Sequence, residues 1–326
     1  MYLQCNRFLA FLIVLSVGVL TACGPESNTR WEENRDDRVQ VATSFSILED
    51  LARQVGGEHV VVRSLVPRES DPHTFDANPR DGRTLSGADL VVEIGAGFEP
   101  WIDRLHASSR SRAHRLALTG VVDLMTVACE RPRHFGHGQC GTGEKDPHVW
   151  LDVRKTMKMV EALRAALVEV DPDGAAYFEA NASRYLADLE ELDTWIESRV
   201  AAIPAPRRRL FTHHDVFRYF ASRYEFDVVG TALTAATTDV FDPAASDVGH
   251  QIETLRAAGV PAVFPEKGSN ARLLTRIAAE ASVRVGPSLY TDYLSHKGGE
   301  ASTYIDMMRY NVETLVTHLG DDGSNL

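Results

Sequence analysis

Residues 153–203 read VRKTMKMVEALRAALVEV, then DPD, then GAAYFEANASRYLADLEELDTWIESRVAAI. Apolar residues recur every three or four positions on both sides of the DPD break, which is the period of an amphipathic helix. Pro172 fits the first turn of a second helix but not the interior of one continuous helix, so the stretch predicts two helices, 153–170 and 174–203. The second, near thirty residues, would run about 45 Å at the standard rise, long enough to cross two lobes. A helical connector is stiff and permits only small rocking of what it joins.

Working outward, both flanks alternate short β-branched runs with amphipathic stretches, the pattern of parallel sheets covered by helices. Strands are expected at Val39–Ala42, Val60–Val66 and Leu90–Ile94, with helices at Phe45–Val55, Arg80–Ser86 and Glu99–Ala107. After Pro206 a second set follows, with strands near Arg209–Thr212, Val228–Thr231, Ala262–Phe264 and Val283–Val285. Its helices are expected at Val216–Tyr224, Ser246–Ala258, Ala271–Ala281 and Asp306–His318. The expected class is α/β, with two lobes, each a mostly parallel sheet flanked by helices, joined by a long rigid helix. The boundaries are 38–152, 153–205 and 206–326.

The chain has 326 residues, 44% of them hydrophobic and 25% charged, too many for one ordinary core and too apolar for a disordered chain. A formal charge of -12 leaves no basic footprint for nucleic acid and draws cations. At the amino terminus Arg7 precedes an apolar run from Phe8 to Leu20, closed by Thr21, Ala22 and Cys23. That run is short for a membrane span and resembles a bacterial lipoprotein signal, residues 1–22, with Cys23 as the lipidated residue. Residues 23–37 then form a polar tether, and the lipid is the expected membrane contact. Cys5 leaves with the signal, so Cys129 and Cys140 remain; in an oxidising compartment they point to one disulfide.

Chemistry concentrates in four places: Asp71-Pro72-His73, Asp146-Pro147-His148, His213-His214-Asp215 and Thr291-Asp292-Tyr293. Proline fixes its own φ and biases the preceding aspartate to extended geometry, so each Asp-Pro-His histidine leaves a rigid turn. Asp71 and Asp146 read as turn-formers. The first follows the second strand, the second precedes the long helical region, and the other two lie where a strand hands over to the next element; open α/β sheets bind ligands at the carboxyl ends of their strands.

Together with the tract from Pro72 to Pro79, the run His148-Val149-Trp150-Leu151-Asp152, His214-Asp215-Val216-Phe217, Phe264-Pro265-Glu266 and Thr303-Tyr304-Ile305-Asp306-Met307-Met308, these residues carry a resemblance over nearly the whole mature chain. The chain resembles the zinc and manganese solute-binding lipoproteins of bacterial ABC importers. The resemblance implies His73, His148, His214 and Asp292 as metal ligands, no catalytic residue, an importer permease as partner, and an exported, monomeric, lipid-anchored carrier. Three imidazoles and one carboxylate suit tetrahedral Zn(II), while Mn(II) prefers more oxygen and is the alternative cargo. Four protein ligands leave no open position for a metal-bound hydroxide, which argues against a metallohydrolase with Glu266 as base.

Glu266 reads as a carboxylate supporting the ligands, with a fifth ligand as the alternative. His213 adjoins His214, and strand alternation sends neighbouring side chains to opposite sides, so one of the two is expected to face the cleft. The segment from Cys129 to Asp146 carries His134 and His137. It reads either as a solvated loop pinned by Cys129 and Cys140 or as a gathering loop that meets a metal-donating chaperone. His59, His106, His114, His250, His296 and His318 match no motif and read as surface residues.

Overall fold

A computed structural model describes residues 37–127, 145–233 and 245–320. The expectations at Cys23, Cys129, Cys140, His134 and His137, and the signal in residues 1–22, lie outside the described residues.

The first lobe is built on a four-stranded, wholly parallel sheet of order β2-β1-β3-β4, with β1 Val39–Thr43, β2 Val60–Ser64, β3 Leu90–Glu93 and β4 His114–Ala117. β1 is buried along its whole length, as a strand covered on both faces must be. Helices α1 Ser46–Gly56, α2 Pro79–Ser86 and α3 Ile102–Ser109 connect the strands. Asn78 caps α2 in a reciprocal capping box with Asp81, behind Pro79 at the first turn.

Two local expectations are corrected. The expected helix from Glu99 begins only at Ile102, because the Glu99 carboxylate accepts hydrogen bonds from Ser44 Oγ (2.6 Å) and from the Ile94 and Gly95 amides (2.8 and 3.0 Å), holding the turn after β3. Strand β4 was not expected, since His-Arg-Leu-Ala shows no β-branched run. It is an edge strand whose Arg115 pairs with Glu93 at 2.8 Å and with Asp103 at 2.6 Å.

The connector is α4, Val153–Val170, and α5, Ala175–Val200. Asp152 caps α4 by accepting from the Arg154 and Lys155 amides. Pro172 opens a single 3₁₀ turn between the helices, with Asp171 accepting from the Gly174 amide. α5 has 26 residues, about 39 Å at the standard rise. Its buried apolar residues, Phe178, Ala182, Tyr185, Leu189, Leu192, Ile196 and Val200, form one stripe that packs against α1, α4 and α9.

The second lobe contains β5 Arg209–Thr212, α6 Arg218–Tyr224, β6 Asp227–Thr231, α7 Ala245–Ala258, β7 Ala262–Val263, α8 Arg272–Ala281, β8 Arg284–Val285 and α9 Tyr304–Gly320. Its parallel strands form two ladders, β5-β6 and β7-β8, joined by a parallel bridge between Thr212 and Phe264. The main apolar core runs without a break from the first sheet through α4 and α5 to α9, and a smaller one lies between α7, α8 and the second sheet.

Candidate metal centre

The lobes place the carboxyl ends of their strands at one cleft. His73 comes from the loop after β2, and His148 from the turn that leads into α4. His214 lies two residues past β5, Glu266 follows β7, and Asp292 lies beyond β8. The four side chains expected at the centre meet: one ligand atom from each of His73, His148, His214 and Asp292 lies within 4.8 Å of the other three, and all four residues are buried.

The inward atoms are the Nε2 nitrogens. His73 Nε2 lies 3.4 Å from His148 Nε2 and 3.8 Å from Asp292 Oδ2, and His214 Nε2 lies 3.6 Å from the same oxygen. Two of the rings are set by carboxylates at their far edges. His148 Nδ1 donates to Asp146 Oδ1 at 2.8 Å, and His214 Nδ1 donates to Glu266 Oε2 at 2.6 Å. A proton held on Nδ1 leaves the Nε2 lone pair for the cleft, the tautomer a metal requires.

The same carboxylates also hold the backbone, since Asp146 Oδ1 accepts from the His148 amide at 3.0 Å and Glu266 Oε1 from the His214 amide at 3.0 Å. Asp71 accepts from the His73 amide at 2.8 Å, so it is the turn-former expected. Asp146 is more than that, because it also orients its histidine ring. The signal was the two-residue spacing of Asp-Pro-His, which lets one carboxylate oxygen reach both the amide and Nδ1. Glu266 holds both the ring and the amide of His214 and lies outside the four-residue group.

Aromatic rings pack around the first-lobe pair. His73 meets Phe98 edge-on with centroids 4.5 Å apart, and His148 meets Trp150 at 5.3 Å. Trp150 Nε1 donates to the Thr291 carbonyl (2.8 Å), and Tyr219 Oη to the Asp146 carbonyl (2.8 Å), tying lobe to lobe beneath the centre. Phe98 carried no signal in the sequence, because its role depends on how the turn after β3 folds over His73.

Charge is unevenly spread. Burial, then the neighbouring imidazoles of His148 and His214, hold His73 well below the usual histidine value. Burial also opposes a charge on His214, but the Glu266 and Asp292 carboxylates outweigh it and push its pKa up to about 9. Burial raises Asp292 to about 6, against the pull of His214 and His148. His214 Nε2 and Asp292 Oδ1 are buried with no hydrogen-bond partner. Each such atom costs about 1–3 kcal/mol unless something fills the site, and a cation between them would do so.

His213 does not join this group. The expectation that only one of His213 and His214 faces the cleft is corrected: both lie past the end of β5, where strand alternation no longer applies, and His213 lines a cavity beside the centre with Asp71 and Asp292. Among the described residues no helix is long and apolar enough to cross a membrane.

Comparison with known proteins agrees with this geometry. The family described as "Zinc-uptake complex component A periplasmic" matches residues 41–318. The manganese-binding lipoprotein MntA of Halalkalibacterium halodurans is 33% identical over 95% of this chain and 97% of its own. The manganese ABC transporter substrate-binding lipoprotein PsaA of Streptococcus pneumoniae is 25% identical over 95% and 97%. Among solved structures, the periplasmic zinc-binding protein TroA of Treponema pallidum superposes with a TM-score of 0.78 at 25% identity, over 86% of this chain and 99% of that one. The manganese-bound periplasmic metal-binding protein of Candidatus Liberibacter asiaticus, at 23% identity and a TM-score of 0.75, over 86% of this chain and 100% of that one, shares the fold. The MntA and PsaA relatives are both named as lipoproteins. This chain belongs to the zinc-uptake complex component A family, the substrate-binding lipoproteins of metal ABC importers, and is a binding protein rather than an enzyme.

Proposed function

We propose that the chain captures one Zn(II) ion in the interlobe cleft, with His73, His148 and His214 Nε2 and the Asp292 carboxylate as its ligands. It then delivers the ion to the permease of an ABC importer. The observation that carries this reading is the buried group of three inward Nε2 atoms and one carboxylate, with each lobe contributing two residues. Three borderline nitrogens and one oxygen match a tetrahedral Zn(II) shell with bonds of about 2.0–2.2 Å. Glu266 is engaged on His214 through both oxygens and so is not free to activate a water. Delivery requires the lobes to part, which would separate His214 and Asp292 from His73 and His148.

A second reading has Mn(II) as the cargo, and the names of the MntA and PsaA relatives favour it. Mn(II) prefers oxygen-rich shells, so it would draw on both oxygens of Asp292, of which Oδ1 carries no hydrogen bond. Any nitrogen-rich site binds Zn(II) more tightly than Mn(II), so the metal carried in cells decides between them. One zinc per chain, read by native mass spectrometry of protein isolated from cells supplied with both metals, is the expected result, and one manganese per chain overturns it.

A further inference from the structure

Beside the four-residue centre the cleft opens into a cavity of about 250 Å³, whose walls include Glu69, Asp71, His213, Glu266, Asp292 and Tyr293. Glu266 and Asp292 belong to the centre as well, so cavity and centre are continuous. The volume holds a cation with several waters, each taking about 30 Å³ as liquid.

His213 is the unexplained group in this wall. It is only 5% exposed, and its Nδ1 has no hydrogen-bond partner. Its backbone is fixed, with the carbonyl accepting from the Leu233 amide at 2.8 Å. An apolar residue would fill the same space without leaving a buried nitrogen unpaired, which costs about 1–3 kcal/mol. A ligand entering the cavity would give that nitrogen a partner.

The opposing wall supplies negative charge. Asp71 lines the same cavity as His213 and Asp292, and its Oδ1 accepts from the His73 amide at 2.8 Å, which ties it to the centre. Glu69 stands at the rim, its side chain 51% exposed, on a turn held at φ 61°. Gly268 keeps another wall open: at φ 77°, a Cβ there would lie 2.4 Å from Tyr293 Oη.

We propose that this cavity is an entry station for the divalent cation, where His213 Nδ1 and the Asp71 carboxylate, with Glu69 at the rim, hold a partly hydrated ion before it passes to the centre. The station rests on the reading of the centre as a cation site. Neither His213 nor Asp71 belongs to a group of three or more mutually close ligand atoms among the described residues, so the station binds weakly. Weak binding is what a transfer site requires, since an ion must leave it as readily as it arrives. Its effect falls on exchange rates, not on final affinity.

Stopped-flow competition between the metal-free full chain and a fluorescent zinc chelator separates these quantities. The station predicts that His213→Gln loads zinc about tenfold more slowly and releases it about tenfold more slowly, with affinity kept within about threefold. Glu69→Gln, on an exposed side chain that folding does not depend on, loads about threefold more slowly at low salt, and the difference vanishes near 1 M salt. Loading by either folded variant at the rate of the unsubstituted chain overturns the station. So does a tenfold loss of affinity in His213→Gln at an unchanged loading rate. Failure of the unsubstituted chain to hold one zinc at neutral pH is a separate result, and it overturns the reading of the centre itself.

Discussion

The two halves of the centre are held by different physics. The first-lobe pair, His73 and His148, is walled by Phe98 and Trp150, and both of its ligands are imidazoles, one of them held by the Asp146 carboxylate. The second-lobe pair, His214 and Asp292, sits with Glu266 in a buried cluster of opposite charges. Packing fixes one half before any ion arrives, whereas in the other a proton on His214 stands in for the cation's charge. A cation entering the cleft therefore meets a prepared surface on one side and displaces a proton on the other.

The largest expected effect breaks this asymmetry with pH. His214 holds a proton below about pH 9 in the metal-free protein and must lose it to ligate. Affinity for zinc should then fall about tenfold for each unit from pH 8 to pH 6. Below about 6, Asp292 also takes a proton, and the slope should steepen towards about a hundredfold per unit. Titration calorimetry in buffers of different ionisation enthalpy should show about one proton released per zinc at pH 7. A flat profile between pH 8 and 6 would contradict the charged half.

Next in size, replacing His148 or His214 by Ala removes one of four ligands. If a zinc site is worth about 10–16 kcal/mol in all, each ligand supplies roughly 2.5–4 kcal/mol, or about 100-fold to 1000-fold in affinity. Chelator competition measures it. The two losses should differ in pH dependence, because only the His214 substitution removes the proton that competes.

Smaller again, Glu266→Gln keeps an acceptor for His214 Nδ1 but removes the charge. Loss of a supporting carboxylate costs about 10–100-fold in affinity. Here the loss should be greatest near pH 9 and shrink towards pH 6, because His214 no longer holds its proton so firmly. An equal loss at both pH values would show that Glu266 acts by position alone.

The smallest effect belongs to the hydrogen bonds beneath the site. Tyr219→Phe removes a donor to the Asp146 carbonyl and an acceptor for the Met125 amide. Metal-free stability should fall by about 1–2 kcal/mol in denaturant titrations, with zinc affinity within about fivefold. A larger loss of affinity would make this contact part of the centre's preorganisation.

How much of this was legible beforehand follows from where each property resides. The connector announced itself through helical period and Pro172, and the two Asp-Pro-His turns through local backbone chemistry that needs no tertiary contact. The convergence of His73, His148, His214 and Asp292 was legible through their positions at strand ends and through the family resemblance. Strand β4 was hidden because an edge strand carries charge, as Arg115 does, in place of β-branched residues. The break of the expected helix at Glu99 depends on Ser44, which is 55 residues away. Likewise strand alternation could not place His213, which lies past the end of β5, and the cavity it lines exists only once the lobes face each other.

Crystals of the zinc-loaded protein, measured on either side of the zinc absorption edge, test the central claim directly. The account predicts one dominant anomalous peak per chain, about 2 Å from the Nε2 atoms of His73, His148 and His214 and from a carboxylate oxygen of Asp292. A dominant peak held by residues of a single lobe, or by ligands that exclude these histidines, would contradict it.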